Sequence, residues 1–198
     1  MKRSVVTLIL VSLMTFGANS QLKITKGSFV GVGLSAFKSG FGGGFLPRIN
    51  PGVYAKIQVY EEFGIRPEIS YSQRGELSGA RGVLLEYIDF SLLLDYKYEL
   101  FESINLSIHT MVGPMWSRMF QASNELYSGL TTVKTDIYGQ TSRSDFGILF
   151  GGGLAIGTST GLLFVDTRLF LGKYEITIPT FGEPMLNRTI SFVVGFEF

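Results

Sequence analysis

The sequence predicts an all-β chain, an eight-stranded antiparallel up-and-down transmembrane β-barrel, with ten strands as the alternative count. Three observations carry that prediction. Apolar and polar residues alternate with period two in one segment after another. Connections alternate between short and long. One face of the alternation is almost free of charge and rich in aromatic residues.

Composition points the same way. The 198 residues are 45% hydrophobic and only 17% charged, against about 25% charged for an ordinary soluble domain. With no cysteine, disulfide scaffolds, thiolate zinc sites, thiol nucleophiles and a lipid-anchored N-terminal cysteine are excluded. A formal net charge of +1 argues against a nucleic-acid partner, which calls for a basic excess or stripe.

The chain opens with Lys2 and Arg3, an apolar run from Val5 to Phe16, and small residues at Ala18-Asn19-Ser20. This is the three-part pattern of a secretory signal, too short to span a bilayer. Residues 1–20 are expected to be removed after Ser20, leaving 21–198 as the barrel domain. An exported barrel of this type belongs in a bacterial outer membrane.

The strands follow in order. Segments 28–36 and 49–59 carry the weaker signal. In 63–73, Phe63, Ile65, Ile69 and Tyr71 fall on one face, and Arg66, Glu68, Ser70 and Ser72 on the other. In 84–98, Leu84, Ile88, Phe90, Leu92 and Leu94 oppose Tyr87, Asp89, Ser91 and Asp95. Segments 104–117, 145–157, 162–172 and 190–198 complete eight. The connections 60–62, 99–103 and 158–161 are short. Those at 37–48, 74–83, 118–144 and 173–187 are long and rich in Gly, Ser, Thr and Asn. Strands of about ten residues cross a bilayer when tilted, and lipid cannot satisfy free backbone groups, so the sheet must close.

Charge on the lipid side costs roughly 2–4 kcal/mol at midplane for Arg or Lys, so the apolar set faces lipid. Arg66, Glu68, Asp89, Asp95, Asp166, Arg168 and Glu197 then point into the lumen. They must pair there, because an unpaired buried ion is very costly. Arg66 is expected beside Asp95, and Arg168 beside Asp166, Glu68 or Asp89. Tyr71, Trp116 and Phe146 mark the long-loop interface, and Phe63, Tyr96, Tyr98, Phe196 and Phe198 the short-turn one. Four outer-face charges, Glu86, Arg118, Lys173 and Arg188, lie at the long-loop end, beyond the hydrocarbon. Arg118, Lys173 and Arg188 are candidates for contact with lipopolysaccharide phosphates. A soluble sandwich or lipocalin-like barrel would put the charged face in water. Here that face is small, rich in Gly and Ser and poor in Lys, as a crowded interior is.

Other signals resolve into strand chemistry. Residues 146–165 carry no charge, and their glycines fall into GxxxG spacing, but Gly151-Gly152-Gly153 and Thr158-Ser159-Thr160-Gly161 read as strand and tight turn. The dinucleotide-like Gly31-x-Gly33-x-x-Ala36 is followed by a glycine-rich loop where that motif needs a helix. His109 is the single histidine and has no recognisable triad, so it reads as a hydrogen-bonded lumen residue. No catalytic, cofactor or metal set is expected.

Several stretches resemble small outer-membrane barrels of Bacteroidetes, the porin-family or PorT-type barrel domain. Arg66-Pro67-Glu68-Ile69-Ser70-Tyr71-Ser72-Gln73-Arg74-Gly75 is similar to that family's PELxYSQKG strand. Glu86-Tyr87-Ile88-Asp89-Phe90 through Leu94-Asp95-Tyr96 is similar to its YLEIPLLLKY strand, with Phe90-Ser91 in place of Ile-Pro and Asp95 in place of Lys. Asp145-Phe146-Gly147, Gly151 and Gly153, Asp166-Thr167-Arg168 with Leu171-Gly172, and the ending Gly195-Phe196-Glu197-Phe198 extend the resemblance over most of 27–198. It implies an outer-membrane location and an eight-stranded barrel. It also implies delivery by the barrel-assembly machinery, which reads the Phe196-x-Phe198 ending. No catalytic residue comes with it.

The resulting expectation is a non-enzymatic barrel with a plugged lumen and a protein partner at the 118–144 loop. The alternatives are a narrow channel for ions or small solutes, a secretion-system accessory barrel, and a lipid-modifying enzyme.

Overall fold

The computed structural model describes residues 23–36, 47–78, 80–128, 131–141, 143–177 and 184–198. The proposed signal segment and most of the 37–48 connection lie outside them. Ten strands form one antiparallel sheet: β1 (Lys23–Ala36), β2 (Arg48–Ile49), β3 (Gly52–Gln58), β4 (Phe63–Ser78), β5 (Arg81–Phe101), β6 (Leu106–Ser128), β7 (Thr131–Asp136), β8 (Ser144–Gly157), β9 (Leu162–Thr177) and β10 (Pro184–Glu197). The ring has eight staves. β2 and β3 are two pieces of one stave, broken at Asn50-Pro51, and β7 rides on the upper part of β6 outside the ring. β10 pairs with β1 and closes the sheet, and reciprocal bonds between Lys26 and Phe198 (3.0 and 2.8 Å) finish the seam.

The register fixes the shape. Starting at Val53 and stepping through Ile69, Phe90 and Trp116 leads to Phe146 on β8. Stepping the other way, through Ser28, Phe196 and Leu163, leads to Ile156 on the same strand. The two arrivals are ten residues apart, which is the shear of the barrel. Eight staves with that shear tilt by about 40° and enclose a space that side chains can fill.

Short turns gather at one end. Thr158 tightens the β8–β9 turn through its hydroxyl, which accepts from the Gly161 amide at 3.1 Å. The β5–β6 turn ends on Asn105 in the left-handed region (φ 48°), a conformation that asparagine tolerates better than most residues. The uncharged stretch 146–165 is strand, turn and strand.

The alternation sorts the side chains as expected. Val30, Ile69, Leu92, Val112, Val165 and Phe192 are exposed on the outer wall. Arg66, Glu68, Asp89, Asp95, Asp166 and Arg168 are buried inside. Leu84 departs from its expected place against lipid. It is buried above the interface, between Gly75 and Ser123 on the neighbouring strands.

The strands overrun their expected ends at the long-loop side. The 74–83 connection is mostly β4 and β5, which pair as far as Ser78 and Arg81. The 118–144 loop is largely strand, since β6 runs to Ser128 and β7 pairs back onto it. The 173–187 connection is strand to Thr177 and again from Pro184. In the last two, register shifts explain why the period was obscured. One lies where Glu86 and Tyr87 meet Gln121 and Met119, the other between Leu186 and Arg188. The first adds one residue to β6 and reverses its apparent phase, and the second shifts the register by two and interrupts the pairing of β9 with β10.

Candidate functional site

The lumen is built in layers. At the short-turn end a polar vestibule of about 390 Å³ is lined by Lys23, Lys56, Gln58, Glu62, Lys97 and Glu197. Above it lies the first ionic layer. Arg66 Nε stands 2.6 Å from Glu68 Oε1, and its Nη1 is 3.6 Å from Asp95. Lys56 also pairs with Asp95. Arg168 reaches Asp166 at 3.0 Å and Glu68 at 3.1 Å. His109 lies between two carboxylates, with Nε2 2.8 Å from Asp166 and Nδ1 3.9 Å from Asp95. Aromatic rings complete the layer: the Arg66 guanidinium lies 3.5 Å from the Tyr54 ring centre, and that of Arg168 lies 4.2 Å from Phe29.

Glycine makes this layer possible. On β8, Gly153 separates His109 from Asp166 in the register. A Cβ there would stand 2.6 Å from the Asp166 carboxylate. Gly151, two residues away, leaves room for Met111. Further along the same strands and on β5 the inner wall is apolar, formed by Leu93, Met111, Met115, Leu149 and Phe170.

A chamber of about 30 Å³ separates the first layer from the second, room for one or two waters. In the second layer Arg74 binds Asp89 at 2.7 Å and Ser117 at 3.0 Å, with Asp145 at 3.6 Å. Its guanidinium lies between the rings of Tyr87 (4.5 Å) and Phe170 (4.6 Å). Asn187 donates to Asp145 at 3.2 Å. Above this sits an apolar cap. Val83, Leu85, Tyr87, Met119, Ala122 and Ile176 pack with Ile137, and Tyr138 adds to the cluster. The turn from Ile137 to Thr141 folds onto this cap, with Thr141 bonded to the Met119 sulfur.

The strands then rise as a crown. Glu125 binds Arg48 at 2.7 Å and Lys134 at 3.0 Å, and accepts the Tyr127 hydroxyl at 2.5 Å. Burial alone would push the Glu125 carboxyl up, but these three partners hold it below its ordinary value.

Six of the seven lumen charges expected from the sequence therefore meet in the two layers, and the seventh, Glu197, lines the vestibule. Arg118, Lys173 and Arg188 are exposed at the long-loop end. Phe196 and Phe198 lie at the end of the chain with their rings 6.5 Å apart. The sequence reading missed Arg74, Asp145 and Lys56 as lumen ions. A signal for Arg74 was present, because Arg74 and Glu76 continue the even-numbered phase of Arg66 and Glu68. Both nitrogens of His109 face carboxylates, and the Ser107 hydroxyl bonds to the Ala155 carbonyl at 3.3 Å. A nucleophile–base pair is not formed there. Among the described residues, no group of three His, Asp or Glu side chains is placed to hold a metal ion.

No family model matches the sequence, and no curated protein matches it. Among solved structures, the chain is similar to Neisserial surface protein A, at a TM-score of 0.54 and 10% identity, over 88% of this chain and 95% of that one. It is also similar to Ail of Yersinia pestis (TM-score 0.49, 11% identity, 90% and 100% covered). A third match is OprG from Pseudomonas aeruginosa (TM-score 0.48, 11% identity, 88% and 94% covered). The first likeness shows the fold. The chain is an eight-stranded antiparallel up-and-down barrel of the outer-membrane type, and the layers above give that barrel a filled interior.

Proposed function

We propose that this chain is a non-enzymatic outer-membrane barrel that conducts nothing and acts through its crown. One observation carries the reading: between the vestibule and the apolar cap stand two ion-paired layers, and the chamber between them measures about 30 Å³. A hydrated ion is larger than one or two waters, and the cap adds an oily barrier above the second layer. The barrel is then a rigid pedestal, and the β6–β7 hairpin is the surface offered to a protein partner. Leu126 and Val133 are exposed opposite each other on it.

The same reading includes export by the 1–20 segment, cleavage after Ser20, and delivery through the Phe196-x-Phe198 ending. The resemblance to Bacteroidetes PorT-type barrels supports it and favours a secretion-accessory role over lipid modification. Purified protein reconstituted in planar bilayers is expected to stay silent in molar KCl. Reproducible unitary current steps would overturn the closed-lumen reading in favour of a narrow channel.

A further inference from the structure

Resting on the membrane-barrel reading, we infer that one half of the outer wall, at the long-loop interface, is a docking arc for the phosphates of lipopolysaccharide. The arc consists of Arg118 on β6, Lys173 on β9 and Arg188 on β10.

The register places them together. Arg118 pairs with Ser144 on β8, and Arg188 pairs with Leu171, two residues below Lys173 on β9. With a tilt of about 40°, each step to the next stave raises the level by about 3 Å, and each two residues down a strand lower it by about 5 Å. These shifts cancel along the path from Arg118 to Arg188, so all three cations stand at about one height. Successive staves are about 6 Å apart around the wall, which spreads the three charges over an arc of roughly 18 Å. All three side chains are exposed. Just below them on the same half are Trp116 and Phe146, paired across the strands, and the Phe146 ring lies 6.1 Å from that of Tyr174. The cations are thus held where an aromatic belt meets head groups.

The other half of the wall differs. At the same height β5 carries Glu86, an acid whose carboxylate is engaged by Tyr71 and by Gln73 at 3.1 Å. Arg118 donates through Nη1 to the Ser144 hydroxyl at 3.1 Å, and its guanidinium carries further donors for another acceptor. Three cations in the head-group layer, with the Glu86 carboxylate on β5 already engaged, fit phosphate oxygens. The fork of Arg118 and Arg188 suits bidentate contact, and Lys173 supplies a point charge between them.

The test uses the full chain refolded in zwitterionic micelles. Folding is checked by the shift of unboiled protein on a denaturing gel. Binding is measured by titrating purified lipopolysaccharide, the same lipid stripped of phosphate, or inorganic phosphate. Wild type should bind the native lipid, with the dephosphorylated form and free phosphate at least tenfold weaker. Arg118→Gln, Lys173→Gln and Arg188→Gln together should weaken native lipid binding roughly a hundredfold. Lys23→Gln with Lys97→Gln, at the other end of the barrel, should leave it unchanged. Equal binding of native and dephosphorylated lipid by wild type would overturn the inference even if the triple variant failed to fold. So would a folded triple variant that binds like wild type. A wild type that shows no gel shift would overturn the barrel reading itself, and the arc with it.

Discussion

Arg74 gives the sharpest test of how the lumen is held. It is fully buried, as are Asp89 and Asp145, the two acids it faces at 2.7 and 3.6 Å. Arg74→Met keeps a long side chain between the Tyr87 and Phe170 rings but removes the cation that, among the described residues, pairs with both acids. Removing one partner of a buried ion pair costs about 3–5 kcal/mol, because the other charge stays desolvated and uncompensated. The lost bond to Ser117 adds roughly 1 kcal/mol. The expected destabilisation is therefore about 4–6 kcal/mol. Combining Arg74→Met with Asp89→Asn and Asp145→Asn removes the ions as a set, and should return stability to within about 2 kcal/mol of wild type. The assay is urea unfolding in vesicles, followed through Trp116. This single tryptophan is exposed on the outer wall and stacks on Phe90 at 5.6 Å, so its emission reports departure from lipid. An Arg74→Met barrel as stable as wild type would refute the account, as would a triple variant no better than the single one.

Two further outcomes follow from the geometry. Gly153→Ala should cost about 3 kcal/mol or more, because its Cβ would stand 1.9 Å from the Val165 carbonyl oxygen and 2.6 Å from the Asp166 carboxylate, and the same urea titration reads the loss. The crown should loosen in acid. Glu125 is held below its ordinary value of 4.5, so its pairing stabilises the native hairpin fully above that value and is lost as pH falls through the lowered one. Protection against hydrogen exchange over 123–128 and 131–136, corrected for the intrinsic rate at each pH, should therefore fall as pH drops through that lowered value, and in Glu125→Gln it should be low already at pH 7 with little further change.

How much of this was legible depended on which physical constraint wrote the residue. Facing lipid is a constraint on every second residue, so it imprints a period, and Ile69, Leu92 and Val165 could be placed from alternation alone. Facing the lumen imprints the complementary period, which located Arg66, Glu68, Asp89, Asp95, Asp166 and Arg168. Partner choice inside is a different matter. The sequence offered Asp166, Glu68 and Asp89 as partners of Arg168, and the structure joins it to the first two, Glu68 lying a hundred positions away across the lumen, a choice set by the shear, which the strand pattern does not contain. The crown was unreadable for another reason. Above the head groups no lipid enforces alternation, and the bulge near Phe120 reverses the phase just where β6 leaves the membrane, so a 23-residue strand looked like a strand followed by a loop.

The same division explains how the barrel tolerates so many buried ions. A hydrophobic interior is not an option for an eight-stave wall whose outer face is already apolar, because a strand apolar on both faces would have no side preference and its register could slip. Charged residues inside fix which face is which. They then have to be neutralised among themselves: Arg48 to Glu125, Arg74 to Asp145 and Arg168 to Glu68 cross the lumen between strands that are not neighbours, and Arg66 to Asp95 joins the adjacent β4 and β5. Such cross-lumen pairs resist sliding of one stave past another, since a shift of one residue would separate every pair at once. The filling of the lumen by ion pairs is then a consequence of how the sheet specifies its register, and the parts left free to evolve contacts are the crown and the wall outside.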